Sequence, residues 1–270
     1  MSAKKRESGK KRKAAVQSTL ASAKAPRSLR LARGAVKVAK YYPGKAMPVS
    51  VGYRNILIHT SSARLGGQLS PYHLRNEKGH ILENVWQFAK LYDRVSAQDQ
   101  SLSRWQPTVK VWQHGEETHV GGDGEPLEAY WRWREKGMAN AYAVRYPNGY
   151  YGRHACVCAL WRVDGVWQRL DYIAARKRIY CAEYVRLAPQ QPHFTKLLKL
   201  LDAGVNLQIV EVDGPDPALT FAPYTELSSE SPGLTITESV IDTLLHDKRK
   251  PFGHGSVIAA LLLGHAEWLT

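Results

Sequence analysis

Every Phe, Trp and Tyr of this 270-residue chain lies beyond position 40. A segment without aromatic residues and dense in Lys, Arg, Ala and Ser cannot bury enough apolar surface to offset the entropy of ordering it. Residues 1–45 are therefore expected to form a disordered basic tail, with the folded domain running from 46 to 270. Charge divides at the same place. Residues 1–40 carry 13 Lys/Arg and one acid, Glu7, whereas the other 230 residues carry 25 Lys/Arg against 23 acids. Most of the net charge of +14 thus belongs to the tail, and the rest is a near-neutral domain.

Within the tail, Lys4, Lys5 and Arg6 form one cationic cluster and Lys10, Lys11, Arg12 and Lys13 a second. Such runs suit an acidic groove on an import receptor, and equally suit phosphate neutralisation on nucleic acid. Residues 28–40 alternate apolar residues with cations, as expected of an amphipathic segment that docks on a partner or an anionic surface. No groove-reading motif accompanies the charge, so any nucleic-acid contact through residues 1–40 is expected to ignore sequence.

No stretch approaches the roughly 18 consecutive apolar residues of a membrane span. The opening Met1-Ser-Ala-Lys-Lys-Arg lacks the apolar core of a secretory signal. Three cysteines do not make a disulfide framework. The expected location is intracellular: nuclear or virion-associated, with the cytoplasm as the alternative.

Beyond the tail the pattern is mixed α+β. A strand is predicted over Arg54–His59. Leu82, Val85, Trp86, Ala89 and Tyr92 recur at helical spacing, predicting a helix over 82–95 whose second face aligns Glu83, Gln87, Lys90 and Arg94. Residues 114–126 read as a polar, Gly-rich loop and 127–144 as a second helix. The clearest hairpin spans 155–172, turning at Asp164-Gly165. Phe194, Leu197, Leu198 and Leu201 mark a helix stopped by Gly204. Residues 205–213 read as a buried strand ending in Glu211 and Asp213, and 214–233 as a proline-rich loop. Thr235 and Glu238 make a capping box for a helix through Leu245, and an apolar helix spans Val257–Leu263.

Three places hold residues suited to chemistry. The spacing of Glu83, Gln87 and Lys90 gathers a carboxylate, an amide and an ammonium on one helix face, with Trp86 at its edge. Read blandly, that face is simply solvated. Glu211 and Asp213 leave the end of a buried strand, a common ligand position in helix-covered sheets, or else they cap a turn. Gly253, His254 and Gly255 open a helix whose N-terminus favours an anion, or make a tight loop. Cys156, Cys158 and Cys181 lack zinc-site spacing, as do His114 and His119, so neither metal nor cofactor is expected.

Four blocks of the chain resemble the NADAR superfamily of N-glycosidases. They are Leu69-Ser-Pro-Tyr-His-Leu with Gly79 and Glu83-Asn-Val-Trp-Gln-Phe-Ala-Lys90; Trp133 to Tyr146; Leu207-Gln-Ile-Val-Glu211; and Phe252-Gly-His-Gly255. They keep the family's order and cover about a third of residues 65–265. Asn84 stands where the family has His, Phe252 stands where it has Trp, and a hairpin region at about 155–190 intrudes between blocks. The resemblance implies a single NADAR-like α+β domain that cleaves a bond between ribose and nitrogen, in an ADP-ribosylated base or a ribosylaminopyrimidine phosphate. By position it implies Glu83, Asp213 and Lys90 as catalytic residues. It implies ligand contacts from Trp86, Gln87, Glu211, Gly253, His254 and Gly255, with phosphate at the Gly-His-Gly loop and a base stacked on Trp86. Two other readings stay open: a non-enzymatic structural or virion protein bound to nucleic acid, and a binder of ADP-ribose that does not cleave it.

Overall fold

The computed structural model describes residues 32–59, 66–95, 102–103, 106–110, 117–149, 151–218, 223, 227–228 and 231–269. The tail clusters at Lys4–Arg6 and Lys10–Lys13, and His114, lie outside the described residues.

The fold is mixed α+β. Its strands are β1 (Val36–Lys40), β2 (Arg54–Leu57), β3 (Lys90–Tyr92), β4 (Arg94–Val95), β5 (Leu102–Ser103), β6 (Gln106–Lys110), β7 (Glu117–Thr118), β8 (Cys156–Val163), β9 (Val166–Leu170), β10 (Leu207–Glu211) and β11 (Gly233–Thr235). Its helices are α1 (Leu82–Phe88), α2 (Glu128–Met138), α3 (Tyr172–Ala175), α4 (Ala182–Leu187), α5 (Pro192–Asp202), α6 (Glu238–His246) and α7 (His254–Leu263). A π-helical turn, Arg176–Cys181, joins α3 to α4.

The main sheet has the order β11-β1-β10-β2. β1 and β2 flank β10 in parallel, in register Val36↔Leu207 and Arg54↔Leu207, while β11 is antiparallel to β1. β1 therefore corrects the expected domain boundary. Residues 36–40 are not tail but an interior strand, because Val36, Val38 and Ala39 are fully buried and Lys37 and Lys40 stay only partly exposed. Those lysines have partners in the domain: Lys37 lies over the Tyr53 ring, and Lys40 pairs with Asp216 at 3.0 Å.

α7 packs its apolar surface beneath this sheet, with Val257, Ile258, Ala260 and Leu262 fully buried. α5 begins with Pro192 at its first position, buries Phe194, Leu197 and Leu201, and stops where Gly204 takes φ 84°, as its sequence predicts. α6 is capped by Thr237, whose hydroxyl accepts from the Val240 amide, two residues later than the expected cap at Thr235. Thr235 is instead paired in β11.

A second core forms around β3-β8-β9, α1 and α2. The predicted hairpin is present, turning at Asp164 and Gly165, both at positive φ. It ends at Leu170, and residues 172–190 are helical, so the intruding region is half hairpin and half helix. Nor is it an appendage, since β8 pairs with β3 and supplies Ala159 and Leu160 to the core.

That pairing explains why helix 82–95 ends early. After Phe88 the chain turns into β3, and the buried Arg134 closes the helix by donating to the Phe88 carbonyl at 3.1 Å. α2 likewise stops at Met138, not Val144, and Gly137 lets it cross directly over the Phe88 ring. The loop read over 114–126 includes β7, which pairs with β4. Trp86 packs against both cores, which meet along α1.

Candidate active site

The carboxyl ends of the parallel strands β1, β10 and β2 lie along one sheet edge, the usual place for a ligand crevice in such sheets. β10 delivers Glu211 and then Asp213 to that edge, and β2 leads to Ile58 and His59. α1 brings Glu83 to the same neighbourhood.

Glu83, Gln87 and Lys90 form a chain of contacts. The Gln87 amide donates to Glu83 Oε1 at 2.7 Å, and Lys90 Nζ donates to Gln87 Oε1 at 2.9 Å. Lys90 opens β3 and is not on the helix, yet it reaches the same face. Glu83 and Gln87 are buried, so this is no solvated face. Burial pushes the Glu83 carboxyl above the usual carboxylate range; the Gln87 hydrogen bond, Arg145 and Lys90 oppose that push, and Asp213 adds to it. Burial also lowers the Lys90 ammonium, against the pull of Cys156 and Glu83.

Arg145 is the site residue that pattern reading missed. Its guanidinium is only 18% exposed and lies 3.9 Å from Asp213, whose carboxylate is 40% exposed and reachable by solvent. Burial disfavours the Arg145 charge, but Tyr72, Asp213, Tyr146 and Glu83 outweigh it and lift its pKa above the ordinary value. The next residue, Tyr146, has φ 61°, a conformation uncommon outside glycine, and Arg145 lies against its ring. Arg145 lies just past the predicted helix end at Val144 and carries no sequence signal beyond its place in the second resemblance block.

The structure therefore places Glu83, Gln87, Lys90, Asp213 and Arg145 in one electrostatic neighbourhood, with Tyr72 beside them. Trp86 is present and partly buried. Lys90 Nζ lies 4.5 Å from the centroid of its ring, and Tyr180 and Tyr172 pack at 5.5 and 6.3 Å.

The Gly-His-Gly loop is filled from inside, which corrects its expected phosphate role. Glu211, fully buried, points its carboxylate into the N-terminus of α7 toward the Gly255 and Ser256 amides. A Cβ at Gly253 would collide with Glu211 Oε1, and one at Gly255 would lie 2.7 Å from it. Both glycines thus make room for the chain's own anion, which already takes the favourable position at the helix end. His254 Nδ1 faces Glu211 Oε2 at 3.1 Å while Nε2 faces the Ile58 carbonyl at 3.2 Å. Burial raises the Glu211 carboxyl, with His254 opposing.

A cleft of about 140 Å³ adjoins Asp213, lined by Lys40, Asp216, Lys250, Phe252 and Ser256 among others. The buried Arg176 shapes its rim by donating to the carbonyls of Leu245 and Asp247, each at 2.8 Å, and to that of Lys250.

Cys156, Cys158 and Cys181 are free thiols, and His119 packs against Trp133 and Tyr130 in the second core. Among the described residues, one group of potential metal ligands comes together, Glu238, His265 and Glu267, away from this site and partly exposed. No described helix is long and apolar enough to cross a membrane. No family model, curated protein or solved structure matches the chain.

Proposed function

We propose that this chain hydrolyses an N-glycosidic bond to ribose, with Glu83 and Asp213 as its two carboxyl groups. The observation that carries the reading is the contrast in their surroundings: Glu83 is buried with its carboxyl pushed up, while Asp213 is ion-paired and open to solvent. A carboxyl that keeps its proton toward neutral pH suits a general acid. Glu83 then protonates the departing nitrogen as the bond to ribose C1 breaks. Asp213 stabilises the developing oxocarbenium charge and takes the proton of the water that adds to C1. Gln87 holds Glu83 in place, and the Arg145 guanidinium lies 3.9 Å from Asp213. Lys90 offsets the charge of Glu83.

The substrate's phosphate is assigned to Lys250 in the adjoining cleft, because Glu211 fills the α7 N-terminus and Lys40 is paired with Asp216. A ribosylaminopyrimidine phosphate or an ADP-ribosylated base both carry such a group.

The experiment compares wild type with Glu83→Gln on ADP-ribosylated guanine oligonucleotides and on ribosylaminopyrimidine phosphate. Release of ADP-ribose or ribose phosphate that depends on Glu83 supports the reading, and equal rates overturn it. Residues 1–31 hold ten Lys/Arg and one acid, which supports a second, compatible role in holding nucleic acid or an import receptor. Nuclear or virion association follows from that role and is proposed with it.

A further inference from the structure

Asn84 follows Glu83 on α1, is fully buried, and takes no part in the chemistry above. Its amide donates to the Asn140 carbonyl at 3.1 Å and to the Tyr142 carbonyl at 3.0 Å. Its Oδ1 accepts from the Val144 amide at 2.8 Å. One side chain thus satisfies three backbone groups of a segment that has left α2 and forms no regular structure. Satisfying buried backbone groups this way fixes an irregular path that would otherwise be costly to bury. The residue after Val144 is Arg145.

We infer that Asn84 is a positioning residue: by clamping residues 140–144 to α1, it holds the Arg145 guanidinium against Glu83 and Asp213. Glu83 and the segment that carries its cationic neighbour are then tied through adjacent residues of one helix. The functional meaning rests on reading Glu83, Arg145 and Asp213 as the reaction centre; the clamp itself does not.

Several groups face the Glu83 carboxyl. Gln87 and Lys90 come from its own side, Arg145 and Tyr146 from the clamped segment, and Asp213 from the end of β10. Tyr72 approaches from the chain before α1, and Tyr180 and Tyr184 from the π-turn and α4. Of these only Lys90 and Arg145 are cations, and only Arg145 depends on the clamp. Releasing the clamp leaves Glu83 with one close cation, so its carboxyl titrates higher.

The test follows the Glu83 carboxyl by carbon-13 NMR in the full chain across pH, its signal identified by its loss in Glu83→Gln. Asn84→Ala and the milder Asn84→Ser are compared with wild type, each again in an Arg145→Gln background. The expected result is an upward shift of the Glu83 titration in the Asn84 variants that disappears in the Arg145→Gln background. An unchanged titration in a folded Asn84 variant overturns the inference. So does a shift of equal size when Arg145 is already absent. If Asn84→Ala does not fold, Asn84→Ser decides between the same outcomes. Because the readout is a titration, absence of glycosidase turnover in every variant would remove the proposed reaction and leave the clamp standing.

Discussion

Glu83 and Glu211 are both buried carboxyls lifted by desolvation, and they are put to opposite uses. Glu211 is enclosed by its own fold, with a helix N-terminus on one side and His254 on another. Glu83 faces an amide, an ammonium, and a guanidinium shared with a solvent-reachable Asp213. The comparison teaches that burial and a raised pKa do not by themselves mark a reactive group. What separates the two is their company: Glu211 is fully buried beside His254, whereas Glu83 neighbours a solvent-reachable Asp213.

The largest effect expected from this contrast is on turnover. Glu83→Gln and Asp213→Asn should each lower kcat by about 10²–10⁴-fold, the range for losing a general acid or base, with native circular dichroism retained. A rate within a few-fold of wild type for both would break the comparison at its functional end.

Next comes the structural end. Gly255→Ala pushes a methyl group onto the Glu211 carboxylate and should destabilise the fold by about 1–3 kcal/mol, the usual range for overpacking, in urea titrations. Shortening the acid in the Gly255→Ala/Glu211→Asp pair should recover part of that loss, because the two sites are in contact and not additive. Full additivity would show that Gly255 is needed for some other reason.

The phosphate assignment predicts a smaller, selective change. Lys250→Gln should raise KM about tenfold for a phosphate-bearing substrate, as for loss of one charge-assisted contact, with kcat little changed. Gly253→Ala, corrected for stability, should not act on KM in this way.

Stability against pH sharpens the picture further. The folded-state pKa of Glu83 lies above its unfolded value, so folded chains hold a proton that unfolded chains have lost. The resulting penalty is absent below the unfolded pKa and grows as pH rises through the folded one. Glu83→Gln should therefore have a higher Tm than wild type at neutral pH, with the gap closing toward pH 4. A lower Tm at neutral pH would show that the Gln87 bond outweighs desolvation.

The smallest expected effect is that of the tail. Deleting residues 1–31 should leave hydrolysis of a small substrate unchanged while removing salt-sensitive binding to nucleic acid, measured by titration at two ionic strengths.

Much of this was legible in the sequence, and the failures have physical causes. The α5 stop at Gly204, the hairpin at Asp164-Gly165 and the grouping of Glu83 with Gln87 and Lys90 are local signals, carried by backbone freedom or side-chain period. α1 and α2 were read too long because their ends are decided at a distance, by Arg134 on the Phe88 carbonyl and Asn84 on the turn after α2. β1 was assigned to the tail because its lysines matched the charge around it, and only strands near residues 207 and 233 reveal its place. Arg145 stayed hidden for the same reason as the helix end: its position is set by contacts some 60 residues away, which no local period records.

The position of β1 also bears on how the chain is made. Both strands that flank it, β10 and β11, come from the last third of the sequence. At about 5–20 residues per second of synthesis, β1 waits on the order of ten seconds or more for its first neighbour. During that interval the residues of β1, Lys37 and Lys40 among them, have no sheet neighbour. Closing the sheet then buries Val36, Val38 and Ala39 of that strand. The parallel pairing across some 170 residues makes this a late step, so folding of this domain is expected to be limited by completion of its C-terminal third.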